Sequence, residues 1–308
     1  MEGRSRISIN ILNYNTYEKS KKCIESCLQQ KNVLFSVLLI DNCSTDDSML
    51  KLKNEFGDRI LYLENKENYG YAKGNNLGVQ YCHDRGIDYS LLLNSDIVLN
   101  SPSLLNKLVE ILENNDNCAV VAPMIYNVTA QGLELNCNDS QYLRMLRKAG
   151  ILPKLRKVSE EIETISEAQG SALLVNNEIF LKVGGFPEHY FMYGEESSFA
   201  KKILWSGYNI LWYKNNDKIV LHYHDKTGRV DPWRLYLMGR NRAIEYYENK
   251  NRAPFRWFFV FYSFIFVQAL KKNMFYLEGV RTARLLHIQK ASKEEYFIDG
   301  KDSVRRVK

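Results

Sequence analysis

Apolar runs of strand length alternate with segments of helical spacing through the first 122 residues, and that alternation constrains the fold more than anything else in the chain. Ile7 to Asn13 alternates and gives out at Asn13-Tyr14-Asn15. Tyr17 to Gln30 carries apolar residues at helical spacing, and Leu34 to Ile40 is a continuous apolar run ending in Asp41. Strand, helix and strand within about 35 residues is the length of a βαβ unit. The pattern then repeats, with strands at Ile60 to Leu63, Ser90 to Leu93 and Cys118 to Ala122 and helices at Ala72 to Arg85 and Ser103 to Asn114. Such a chain predicts an α/β fold, a mostly parallel sheet with helices on both faces. No internal repeat or Gly/Ser linker interrupts it. The domain boundary is therefore expected near 230, where charge and aromatic content shift, leaving 231–308 as a helical C-terminal segment.

Sheets of this kind bind ligands outside the carboxyl ends of their strands. The chain places its odd polar residues there: Asn13-Tyr14-Asn15, Asp41-Asn42 and Asn94-Ser95-Asp96. A carboxylate closing a buried strand is costly unless a charge meets it, and a divalent cation carrying a diphosphate would serve Asp96, although Asn-Ser-Asp is also ordinary turn chemistry. Asp41 has the chemistry to accept the imide N–H of a uracil or thymine, while Thr45 to Asp47 reads as an N-cap cluster. The run Glu67 to Gly78 holds three glycines and three asparagines at a helix start. Asn68, Gly70 and Asn75 would allow close backbone approach to a ligand, and Lys73 would meet phosphate. It is neither a P-loop nor a dinucleotide fingerprint.

Two further constellations carry chemistry. Gly184-Gly185-Phe186 leads through an aromatic stretch to Glu195-Glu196 at a helix start, where adjacent carboxylates suit a general base and also simply favour the helix dipole. His222-Tyr223-His224 follows an apolar strand; alternation puts both imidazoles on one face, and one would complete a cation site with Asp96.

In order and spacing these pieces resemble the family 2 glycosyltransferases of GT-A fold, especially the bacterial branch that assembles rhamnose-containing and other surface polysaccharides. The resemblance rests on Leu12-Asn13-Tyr14-Asn15, Asp41-Asn42-x-Ser44-x-Asp46-x-Ser48, the run from Asn68 to Gly78, Asn94-x-Asp96, Gly184-Gly185-Phe186, Glu195-Glu196 with Gly207-Tyr208, and His222, and covers roughly residues 6 to 245. It implies a GT-A transferase domain over 1–230 and a metal-dependent, inverting hexosyl transfer. The sugar would move from a UDP- or dTDP-sugar to a hydroxyl of a lipid-linked saccharide in capsule or O-antigen-type synthesis. Carried over by position, Asp41 would read the pyrimidine, Asp96 would hold Mg²⁺ or Mn²⁺ on the donor diphosphate, His222 would be a further metal or phosphate contact, and Glu196 would be the base. The chain departs from the family at Glu196, where Asp is usual, at Ser198, where a second acid is common, and at Lys202, which replaces an Arg.

Competing readings are a sugar nucleotidyltransferase, which needs a glycine-rich basic loop after the first strand that Asn13-Tyr14-Asn15-Thr16 does not supply, and a non-catalytic scaffold of the same assembly. Between Lys226 and Arg256 lie eight Lys/Arg against three Asp/Glu, followed by the uncharged run Trp257 to Leu270 and then Lys271-Lys272. As a helix of about 21 Å the run is too short to span a hydrocarbon core of roughly 30 Å. A membrane-surface segment, a buried helix and a homodimer face all fit it. Its aromatics are not interleaved with the basic residues for base stacking, so nucleic acid is not an expected partner. The six cysteines lack metal-binding spacing, and Cys23 and Cys27 sit one helical turn apart, as on a reduced core face. With no apolar signal region before the first strand, the expected location is the cytoplasm or the inner face of the cell membrane.

Overall fold

A computed structural model describes residues 6–136, 148, 155–214, 220–223, 231–251 and 254–288. The alternating half folds as β1 (Ile7–Asn13), α1 (Tyr17–Cys27), β2 (Phe35–Asp41), α2 (Ser48–Phe56), β3 (Leu61–Glu64), α3 (Gly70–His83) and β4 (Tyr89–Asn94). After β4 come β5 (Ile97–Leu99), α4 (Leu104–Glu113), β6 (Cys118–Pro123), β7 (Ile125–Thr129), β8 (Gly132–Asn136), β9 (Ile162–Thr164), β10 (Ala172–Asn176) and α5 (Asn177–Lys182). The remainder is α6 (Glu195–Trp205), β11 (Asn209–Tyr213), β12 (Val220–His222), α7 (Pro232–Asn249), α8 (Pro254–Leu270) and α9 (Met274–Ile288).

Eight strands make one sheet in the order β3-β2-β1-β4-β10-β6-β11-β9. The first four are parallel, as the βαβ pattern predicts, and β11 is parallel to β6. β10 runs against both β4 and β6, and β9 against β11, so the sheet is mixed beyond its parallel half. A second sheet, β5-β12-β7-β8, takes up the three residues that follow Asp96. The apolar run that looks like one broken strand at 90–99 is therefore two strands in two sheets, with Asn94-Ser95-Asp96 as the corner.

The alternation of β1 explains its two faces. Ile7, Ile9 and Ile11 point into the main core with Val37 and Leu39 of β2. Leu38 and Ile40 point to the opposite side with Cys82 of α3. There the small side chains of Ser8 and Asn10 face α3, which approaches closely because Gly74, Gly78 and Cys82 share one stripe. A Cβ on Gly78 would lie 2.3 Å from Cδ1 of Ile40, and one on Gly74 2.8 Å from Cδ1 of Leu12. Two of the three glycines that suggest a ligand cradle are thus needed for helix-on-sheet packing. The described cysteines Cys23, Cys27, Cys43, Cys82 and Cys118 are free, and burial pushes the Cys118 thiol up to about 12. Cys137 lies outside the described residues.

The chain divides into two compact units, one of 1–186 with 199–225 and the other of 187–198 with 226–308. The expected cut at 230 therefore misses the segment carrying Glu195 and Glu196, which belongs with the C-terminal helices. In the second unit α7 and α9 cross backbone against backbone: a Cβ on Gly239 would lie 2.0 Å from the carbonyl oxygen of Tyr276, and one on Gly279 2.1 Å from that of Tyr236. α8 buries Phe261 against Tyr246, with rings stacked 4.3 Å apart. Along the same helix Phe258, Tyr262, Phe266 and Leu270 recur four residues apart and are all exposed. At 17 residues α8 is about 26 Å long, and no described helix is long and apolar enough to cross a membrane.

Candidate active site

In the first unit the parallel register sets Asn13 beside Asp41 and Leu12 beside Asn94, so three strand ends finish in one row. A buried hydrogen-bond network runs along that row. Asn13 Nδ2 donates to Asp41 Oδ1 at 2.7 Å and to Ser44 Oγ at 3.1 Å. Asn13 Oδ1 accepts from Ser20 Oγ and Thr16 Oγ1, and Thr16 Oγ1 also lies 3.1 Å from Ser95 Oγ. Asp41 is 4% exposed; its Oδ1 also accepts from Ser44 Oγ, and its Oδ2 accepts the Ser44 N–H at 2.9 Å. Asn15, at φ 54°, accepts from the Thr45 N–H through Oδ1 and donates to Thr45 Oγ1 through Nδ2, which pins the loop after β2. Ser44 belongs to the motif after β2 quoted above, whereas Thr16, just before α1, and Ser20, one turn into it, are partners that carry no signal of their own in the sequence.

Asp96 and His222 meet across the corner into the second sheet. His222 ends β12 and pairs with Ile97, the Tyr223 N–H donates to the Asp96 carbonyl at 2.9 Å, and His222 Nε2 lies 3.0 Å from Asp96 Oδ1. Adjacent ligands of one octahedral cation with bonds of about 2.1 Å stand about 3.0 Å apart, so the pair fits a shared Mg²⁺ or Mn²⁺. The same spacing serves a histidine–carboxylate contact when no cation is bound. Among the described residues no group of three or more His, Cys, Asp or Glu gathers. His224 lies outside the described residues.

The glycine-rich run contributes less than its composition suggests. Asn68 Oδ1 accepts the Gly70 N–H in a turn that opens α3, Lys73 Nζ sits 4.0 Å from the centre of the Tyr69 ring, and Asn75 is buried with its Nδ2 on the Tyr71 carbonyl. Asn76 instead reaches the Gly-Gly-Phe turn, donating to the Phe186 carbonyl and accepting its N–H, both at 2.9 Å.

In the second unit a loop in left-handed conformation, with Phe191 at φ 60°, Tyr193 at 70° and Gly194 at 100°, delivers Glu195 and Glu196 to the start of α6. Holding two non-glycine residues there costs on the order of 1–3 kcal/mol each. α7 supplies the compensation through side chains that the sequence did not flag. Arg240 and Asn241 bond the carbonyls of the loop, Ser197 Oγ donates to Glu245 Oε1 at 2.7 Å, and His189 and Tyr190 both approach Glu248. The two acids differ. Glu195 is 2% exposed, its Oε2 is buried without a hydrogen-bond partner, and burial, followed by the neighbouring Glu196, raises its carboxyl well above the ordinary range. Glu196 is half-buried and reachable by solvent.

The family model for glycosyl transferase family 2 matches residues 8–172, more than half of the chain and all of the strand-end network up to Asp96. The chain belongs to glycosyl transferase family 2. A curated relative of this family 2 chain, the low-salt glycan biosynthesis hexosyltransferase Agl10 of Haloferax volcanii, is 26% identical over 239 residues, 77% of this chain and 74% of the relative. Among solved structures, GalNAc-T7 with UDP, GalNAc and Mn²⁺ superposes with a TM-score of 0.60 at 15% identity, covering 79% of this chain and 48% of its own, so the chain spans about half of that protein. The Pyrobaculum calidifontis mannosyltransferase PcManGT with GDP-mannose and Mn²⁺ gives a TM-score of 0.58 at 14% identity, covering 94% of this chain and 77% of its own. These likenesses establish the GT-A fold.

Proposed function

We propose that this chain is an inverting, cation-assisted glycosyltransferase that moves a sugar from a UDP- or dTDP-sugar to a hydroxyl of a lipid-linked saccharide. The observation that carries the reading is the row of strand ends, Asp41, Asn13 and Ser95, closing on the Asp96–His222 pair. Asp41 Oδ2 accepts one backbone N–H and keeps a lone pair for the imide of a pyrimidine. Asp96 and His222 would hold Mg²⁺ or Mn²⁺, which when bound would supply positive charge to offset that of the departing diphosphate. Glu196 takes the proton of the acceptor hydroxyl as its oxygen bonds to the anomeric carbon; the bond from that carbon to the diphosphate oxygen breaks on the opposite side. A single displacement of this kind inverts the anomeric carbon. Bound UDP and Mn²⁺ in GalNAc-T7, and the part of the Haloferax relative in glycan biosynthesis, support the class of donor and product.

The test is a thermal-shift series with Mn²⁺ and UDP-glucose, UDP-N-acetylglucosamine, dTDP-rhamnose or GDP-mannose. Ligand binding to the native state raises its apparent stability, by about 2.7 kcal/mol at a hundred times Kd. A UDP- or dTDP-sugar is expected to give the largest shift. GDP-mannose as the best ligand would refute the pyrimidine assignment to Asp41.

For the acceptor side, the exposed stripe of α8 is preceded in the sequence by Arg252 and Arg256 and followed by Lys271-Lys272. Aromatic side chains favour the membrane interface, and each nearby Lys or Arg adds roughly 1 kcal/mol on an anionic surface. The intact chain should sediment with vesicles containing phosphatidylserine, and less so as salt is raised. Phe258→Ser with Phe266→Ser should remain in the supernatant. A salt-indifferent dimer that these substitutions convert to monomer would make the stripe a subunit interface instead.

A further inference from the structure

We infer that Asn241 is a positioning residue that sets the direction of Glu195 and Glu196 by holding residues 190–194 in their left-handed turn; the inference rests on Glu196 as the base. All the groups concerned lie in the second unit. Asn241 is 1% exposed, and its Nδ2 reaches the carbonyls of Tyr190 at 3.3 Å, Met192 at 2.8 Å and Tyr193 at 2.5 Å. Its Oδ1 accepts from Arg240 Nε at 2.9 Å. A guanidinium only donates, so this bond fixes which end of the amide is oxygen and leaves the NH₂ to the three carbonyls. Arg240 in turn donates through Nη2 to the carbonyls of His189 and Tyr190, both at 3.2 Å.

Three carbonyls of one short loop converge on this single amide, and Phe191, Tyr193 and Gly194 of the same loop take positive φ. Gly194 suits the turn through its φ of 100°, which residues with a side chain rarely adopt; a Cβ there would stand 3.5 Å from Asn241 Cβ, an ordinary contact. α6 begins at the next residue, so the orientation of its first turn, and with it both carboxylates, is set at this clamp. Two and three positions on in α7, Ala243 and Ile244 are buried and apolar, so burial by itself does not call for an amide at 241.

The experiment compares Asn241→Ala, Glu196→Gln and the double variant of the full chain. It uses the tightest donor of the thermal-shift series with water as acceptor, and calorimetry of Mn²⁺ with the matching nucleoside diphosphate. Asn241→Ala is expected to lower kcat tenfold or more at unchanged nucleotide affinity, and to add little in the Glu196→Gln background, because both variants remove the same function. Losses that multiply, or an unchanged kcat, overturn the inference. A fully active Glu196→Gln removes the base assignment and the inference with it, and is read from that variant alone. If Asn241→Ala does not fold, Asn241→Asp, which keeps the shape and cannot donate, enters the same cycle; failure of both to fold makes the residue structural and ends the proposal.

Discussion

Glu196→Gln is expected to bind donor as the natural chain does and to turn it over about 10²-fold more slowly or worse, the order of loss for a missing general base. The amide keeps the side chain's length and shape but does not take a proton. Glu195→Gln is the companion measurement, because the two acids sit in different surroundings. Burial, with the charge of Glu196, raises the Glu195 carboxyl above its ordinary value of 4.5. The folded state therefore holds that proton more tightly than the unfolded chain, and the stability this contributes is fully present below 4.5 and is lost as pH rises through the folded-state value. Relative to the natural chain, Glu195→Gln should gain in Tm as pH rises above 4.5 and show no gain at more acid pH. A silent Glu195→Gln beside an active Glu196→Gln would instead place the base at 195.

Asp96→Ala is expected to weaken Mn²⁺-dependent binding of UDP or dTDP by on the order of 10²-fold or more, since even groups one step removed from a metal cost 10–100-fold when lost. The fold should survive, because the corner is also held by main-chain bonds that the substitution keeps: the Tyr223 N–H on the Asp96 carbonyl and the Asn94 N–H on that of Ser171. Calorimetry with and without Mn²⁺ measures the effect, and circular dichroism checks the fold. An affinity equal to that of the natural chain would remove Asp96 from the cation site.

The sequence by itself determined the parallel half of the sheet, because alternation in β1 and unbroken apolar runs in β2 and β4 report burial on one or both faces at period two. It also determined which strand ends carry Asn13, Asp41 and Asn94 to Asp96, since polar residues that stop an apolar run mark where a strand leaves the core. What it did not determine are relations between distant segments. The glycines of α3 read as a ligand cradle, yet Gly74 answers to Leu12 and Gly78 to Ile40 across the sheet face. The boundary near 230 followed composition, whereas 187–198 joins the C-terminal helices through hydrogen bonds donated by Arg240 and Asn241 and one accepted by Glu245, residues that look in sequence like any polar face of a helix. The contact of Asp96 with His222 needed the second sheet, which sets β12 beside β5 more than a hundred residues apart in the chain. Local patterns encode which face of an element is buried; which buried faces meet is decided only when the whole chain packs.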